Sequence, residues 1–202
     1  MDFYSKHFVP FPTIKTKDLT LRKIRISDTN DLYDYCKRPE SSRYSNWTPH
    51  QSIKSTREFI YWLLARYIKR QCYTFAVEYK GRLIGTASYM NFDEMYGTVE
   101  IGYGLNSDFW HKGFGRQTVL ALTGFAFDIL CVDRVYAKVM PQNIASSSLL
   151  LKCGFIYEGT TRKSEYIKGK YIDVATYAIL KDEYLLNKEN KNGTEANSEF
   201  CC

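Results

Sequence analysis

The sequence predicts an α/β fold, a mixed and mostly antiparallel sheet with helices on both faces. Three observations predict it. The elements read β-α-α-β-β-β-α-β-α-β-β along the chain. Strands over 73–79, 82–92 and 98–105 follow one another through short turns, the pattern of an antiparallel meander. The third strand then meets a glycine-containing turn, Lys112-Gly113-Phe114-Gly115-Arg116, that opens a helix.

Taken in order, residues 1–18 are aromatic and hold Pro10 and Pro12, so an extended lead-in is expected. Leu19, Leu21 and Ile24 mark a first strand. Ser27-Asp28 caps a helix over 29–37, with Leu32 and Tyr35 facing inward. Pro39 to Pro49 is polar and reads as a loop. Ser52 or Ser55 starts the next helix, with Phe59, Trp62, Leu63 and Tyr67 as its apolar stripe and an end near Lys69-Arg70. Lys80-Gly81 and Asp93-Glu94 are the turns of the meander. Val119, Leu122, Ala126 and Ile129 give a helix over 117–130. A β-branched strand over 134–140 stops at Pro141. Asn143 is a good N-cap and Gly154 a good residue just past the end of a short helix. Strands over 155–167 and 171–180 are joined at Lys168-Gly169-Lys170. The tail 187–202 is polar without periodicity and is expected to be disordered. That leaves one domain over 1–186.

The chain has 202 residues, enough for one domain with a sizeable core. A 45% hydrophobic and 25% charged composition is that of a globular protein. No apolar run reaches membrane-spanning length, and no basic-then-apolar leader opens the chain. None of the six cysteines forms a Cys-x-x-Cys pair, so neither a metal site nor a disulfide framework is expected. Reduced cysteines fit a cytoplasmic location. The net charge of +6 favours anionic ligands such as phosphates. The cations are scattered rather than run together, which argues against nucleic acid as the partner.

The glycine turn carries the chemistry. A helix N-terminus offers unpaired N–H groups and partial positive charge. Glycines remove the Cβ atoms that would hold a phosphate off, and Lys112 and Arg116 add cations. The turn reads as a pyrophosphate cradle. It is not the dinucleotide fingerprint, because Thr118 stands where a third glycine is needed, and the P-loop spacing is absent. What remains resembles the acetyl-CoA loop of the GNAT N-acetyltransferase superfamily, Gln/Arg-x-x-Gly-x-Gly/Ala, with Trp110 departing at the first position. Trp-x-Lys-Gly-x-Gly after a Glu-Ile-Gly-Tyr strand resembles the Rim-type ribosomal-protein N-terminal acetyltransferases. So does Asn143-x-x-Ser146, followed by Lys152-Cys-Gly154-Phe155. The resemblance covers roughly residues 17–186.

The resemblance implies a sheet splayed between the strand ending near Leu105 and the strand over 134–140, with the acetyl-pantetheine arm of acetyl-CoA in the gap. It implies cofactor contacts from Tyr103, Gly104, Leu105, His111, Lys112, Gly113, Phe114, Gly115, Arg116, Asn143 and Lys152, and no metal. The Leu105 N–H would be the thioester donor. Asn143 serves equally as cap and as ligand contact.

Acetyl transfer to an amine needs a proton acceptor, a donor to the thioester oxygen, a proton for the leaving thiolate, and held reactants. Strand alternation puts Thr98, Glu100, Gly102 and Gly104 on one face. Glu100 is the base candidate; a salt bridge with a nearby Lys or Arg is the structural alternative. Ser146 is the candidate proton donor to the thiolate. Asp173 reads either as an amine contact or as a hairpin contact. The expected function is acetyl-CoA-dependent N-acetyl transfer to a primary amine, a protein N-terminus or a small molecule, in a ternary complex. A non-catalytic CoA-binding or protein-interaction module is the alternative. Monomer and homodimer both stay open.

Overall fold

Leu19 and Leu21, Phe75 and Val77, and Val99 and Ile101 are each separated by one residue, and each pair is buried. Period-2 burial of this kind fixes both the strands and the face they present to the core. The computed structural model describes the backbone of residues 3–198 and the side chains of residues 4–189. Its strands are β1 (Ile14–Lys15), β2 (Leu19–Lys23), β3 (Tyr73–Tyr79), β4 (Arg82–Asp93), β5 (Thr98–Leu105), β6 (Arg134–Val139), β7 (Ile156–Ile167) and β8 (Lys170–Leu180). Its helices are α1 (Thr29–Cys36), α2 (Pro39–Ser42), α3 (Ile53–Ile68), α4 (Phe114–Asp128), α5 (Ile144–Lys152) and α6 (Lys181–Ser198).

The eight strands form one sheet in the order β1-β2-β3-β4-β5-β6-β8-β7. Every neighbouring pair is antiparallel except β5 with β6, which is parallel. The parallel pair is bridged by α4, the long crossover that parallel strands require. The joint is short. Thr98 faces Arg134, Val99 faces Val135 and Glu100 faces Tyr136, and there the pairing stops. β5 stays paired with β4 as far as Leu105, and β6 stays paired with β8 as far as Val139. The sheet therefore splits just past Glu100, as the resemblance implies.

Two apolar clusters flank the first half of the sheet. On one side Phe75, Ile84, Val99 and Ile101 pack with Val119, Leu122 and Ala126 of α4. On the other, Ala76 and Leu83 pack with Leu32 and Tyr35 of α1 and Ile60 and Leu63 of α3. Each fully buried side chain of this size contributes about 1.5–3 kcal/mol.

The structure departs from the sequence reading in several places, the first being the lead-in, where Phe3–Phe8 form a 3-10 helix. Ile24 is buried but lies beyond β2. Asp28 precedes α1 without capping it; its carboxylate accepts from the Arg22 guanidinium and the Arg25 N–H instead. The loop over 39–49 begins with a helical turn, α2, started by Pro39 at a first-turn position where its missing N–H costs nothing. The tail from 187 continues α6 as far as Ser198. Tyr184, which stacks on Phe127, and Lys188, which pairs with Asp128, hold its first turns. The terminal Cys201-Cys202 lies outside the described residues.

Candidate active site

The turn after β5 is built by its neighbours. The Trp110 indole donates to the Leu105 carbonyl at 2.8 Å, folding the loop back on the strand end. Asn106 is buried; its amide donates to Asp34 and its oxygen accepts from the Asp108 N–H. Arg38 grips Asp108 with both guanidinium ends, and the Lys112 ammonium donates to the Asp108 carbonyl. Held this way, Gly113 adopts φ 78° and stands as the N-cap of α4, with no side-chain cap. His111 also sits at positive φ, 60°, and is exposed.

This geometry leaves the N–H groups of Phe114, Gly115 and Arg116 without intrahelical partners. Nothing lies within 4 Å of where a Cβ of Gly113 would stand. The turn is thus open and donor-rich, which fits a pyrophosphate. The second glycine has a packing reason beside the one the spacing suggests. A Cβ on Gly115 would stand 3.1 Å from Leu149 of α5, so this glycine lets α4 and α5 approach.

On α5, the Asn143 oxygen accepts from the Ser146 N–H at 3.2 Å, the expected cap. Across the split, the Ser146 hydroxyl shares a 2.9 Å hydrogen bond with the Tyr103 hydroxyl of β5. Burial pushes the Tyr103 phenol well above its ordinary value, so it stays protonated. Gly104 is needed for a third reason: a Cβ there would collide with the Tyr35 hydroxyl of α1. Phe114 is buried beneath the turn, and Arg116 forms no hydrogen bond or ion pair among the described residues. Lys152 sits in the last turn of α5, one helical turn past Leu149, the residue that Gly115 approaches.

The opposite face of β5 carries Glu100, which is 8% exposed and stands where the split begins. Asn91 of β4 donates to its Oε2 at 2.8 Å. Tyr136 of β6 interacts with the same carboxylate; burial and then the Glu100 charge raise its phenol pKa. No cation forms an ion pair with Glu100 among the described residues. Lys138 is held instead by Glu165 at 3.0 Å, and that bond, with the charge of Glu100 behind it, raises the lysine. The Glu100 carboxylate thus has its orientation fixed by a neutral donor, with no cation in direct ion-pair contact among the described residues. The sequence reading missed Asn91 and Tyr136, because partners on neighbouring strands carry no local signal. Asp173 accepts from the Lys163 N–H at 2.8 Å, the hairpin contact.

A cleft of about 450 Å³ opens on this side, lined by Pro39, Glu40, Ser42, Arg43, Pro49 and Lys168. It lies between α2 and the β7–β8 turn, where the Lys168 ammonium donates to the Ser42 carbonyl at 2.6 Å.

The match to known proteins fits this geometry. Residues 18–156 match the family model described as an acetyltransferase (GNAT) domain. The chain belongs to the GNAT acetyltransferase family. A GNAT relative from Bacillus licheniformis, an uncharacterized N-acetyltransferase named p20, is 36% identical over 85% of this chain and 98% of its own length. The spermidine N(1)-acetyltransferase of Vibrio cholerae is 25% identical over 85% of this chain and 98% of its own. Among solved structures, RimL, a ribosomal alpha-N-protein acetyltransferase in complex with coenzyme A, superposes with a TM-score of 0.73 at 24% identity. It covers 85% of this chain and 99% of that one, a likeness of fold. As a GNAT member, this chain is an N-acetyltransferase.

Proposed function

We propose that this protein transfers the acetyl group of acetyl-CoA to a primary amine by direct attack in a ternary complex, on one domain over residues 1–186. The observation that carries the reading is the split of the sheet at Glu100. It places an open, donor-rich helix N-terminus on one side and an ion-pair-free carboxylate on the other.

Acetyl-CoA, when bound, supplies the thioester; the amine N–C bond forms as the C–S bond breaks. The N–H groups at 114–116, with Lys112, Arg116 and His111 around them, hold the pyrophosphate. Tyr103, Gly104 and Leu105 line the gap left by β6, and Asn143 and Lys152 bracket the cofactor along α5. Glu100 takes the amine proton, directly or through one water. Asn91 and Tyr136 fix the carboxylate's direction. Ser146 gives its hydroxyl proton to the departing thiolate and regains one from solvent by relay through the Tyr103 hydroxyl beside it, which ends the turnover protonated, while Glu100 releases the amine proton to solvent.

The test is calorimetry with CoA and acetyl-CoA, paired with thiol release from acetyl-CoA in the presence of a panel of amines. The expected result is binding, a ligand-dependent rise in melting temperature, and release that depends on the amine. Absence of binding at millimolar ligand would remove the reading. Binding without amine-dependent release would leave a CoA-binding module.

A further inference from the structure

We infer that Arg43 and Lys168 make the mouth of the acceptor cleft select amines borne on acidic chains, such as a protein N-terminus followed by Glu or Asp, over polycationic amines. This deepens the acetyl-transfer reading and rests on it.

The cleft belongs to the face of Glu100. The Tyr35 hydroxyl of α1 packs on Gly104, which shares a strand face with Glu100, so α1 and the α2 turn after it roof that face. From the other side, Lys138 of β6 binds Glu165 of β7, and the hairpin tip beyond Glu165 reaches α2 through Lys168. An acceptor that reaches Glu100 past α2 and this tip therefore meets the residues lining the cleft.

The charge lining the cleft is positive in balance, with Arg43 and Lys168 against Glu40. Arg43 lies over the Tyr44 ring and has no acidic partner among the described residues. Lys168 spends its ammonium on a neutral carbonyl, so its charge stays uncancelled. Arg162, Lys163 and Lys170 on the same hairpin have side chains in no ion pair among the described residues. Of the acidic groups nearby, Glu165 is neutralised by Lys138, while Asp173 and Glu40 accept from neutral donors and keep their charge, leaving the cations in excess. Glu40, the one carboxylate lining the cleft, accepts from the Ser107 hydroxyl at 3.0 Å. Its own backbone N–H, and then Ser107, hold it below its ordinary value. Like charges at such a rim repel a polyamine, whereas acidic side chains next to an N-terminal amine are drawn in. A nucleic acid is the weaker fit, because the cleft is small and its cations are few.

The experiment uses the full chain with peptides that share one N-terminal serine and continue with glutamates, glutamines or lysines. Direct binding is read by calorimetry with N-acetylated versions, and turnover by thiol release from acetyl-CoA with the free amines and with spermidine. The expected result is that the glutamate peptide binds and reacts about tenfold better than the lysine peptide at low salt. The gap should close as added salt shortens the Debye length toward 3 Å. Lys168→Glu should reverse the order and Lys168→Gln should flatten it, with Arg43→Gln as an independent second variant. Equal or better binding of the lysine peptide or of spermidine overturns the inference. So does single-stranded RNA that binds more tightly than the glutamate peptide and displaces it. Charge-ordered binding without any thiol release supports the acidic-chain preference and instead sinks the acetyl-transfer reading.

Discussion

The two halves of the split sheet are held together by different physics. From β1 to β5 the sheet is sandwiched: α4 covers one face and α1 with α3 the other, and the contacts are apolar. From β6 through β8 to β7 one face faces the α4–α5 side, while the other is largely bare of helices among the described residues and meets α2 at its hairpin tip. On that bare face Arg134 pairs with Glu158, and Lys138 with Glu165. Most of β7 is exposed. The one buried ion pair among these belongs to the first half, where Arg22 grips Asp28, each 5% exposed. A sheet face covered by a core cannot receive a substrate. The proposed acceptor chemistry belongs at the boundary, where Glu100 is flanked by packed strands on one side and by exposed, charged ones on the other.

The largest effect tests the boundary itself. Glu100→Gln keeps the size and the Asn91 contact but loses the proton acceptor. Turnover should fall by about 10²–10⁴, with acetyl-CoA affinity unchanged and partial recovery at higher pH as more amine is neutral. Near-normal turnover per folded molecule, with lowered stability, would make Glu100 a structural group.

Next comes the buried pair. Arg22→Met strands Asp28 and Glu78 without their cation, and should cost about 3–5 kcal/mol in urea unfolding. A loss below 1 kcal/mol would mean that the first half does not depend on this pair.

Gly113→Val forces a β-branched residue into φ 78°, a strain of order 1–3 kcal/mol. CoA should bind at least about tenfold more weakly, by calorimetry, with circular dichroism unchanged. If both measurements match the parent, the pyrophosphate sits elsewhere.

The smallest effect is on the exposed half. Arg134→Met should lower stability by less than about 1 kcal/mol, because the pair it removes is partly solvated. Hydrogen bonding to Arg134 holds the Glu158 carboxyl below its ordinary value. A depressed folded-state pKa stabilises above the unfolded value, near 4.3, and that contribution is lost as pH falls through the folded one. The parent should therefore show a slightly steeper acid loss than the variant; identical acid profiles would remove the pair from the account.

Local signals made much of this readable in the sequence. The strand–turn–helix, the Ser52 cap of α3 and the Asn143 cap of α5 each depend on a few adjacent residues. The reasons for particular residues were less readable when the partner is distant. Gly115 looks like a phosphate glycine only, until Leu149 appears beside it. Asp28 looks like a cap until Arg22 claims it. The cleft beside α2 depends on Lys168 and Ser42 meeting across 126 residues, which no spacing rule announces. Asn91 orients Glu100 only because β4 and β5 pair in register.

The bond between the Trp110 indole and the Leu105 carbonyl has an optical consequence. It ties a chromophore, 43% exposed, to the end of the strand where the cofactor loop begins. Trp47 and Trp62 lie elsewhere, with the aromatic residues of α1 and α3. A ligand that seats at the turn should change the polarity around Trp110, so a shift in tryptophan emission is expected to report occupancy without any added dye.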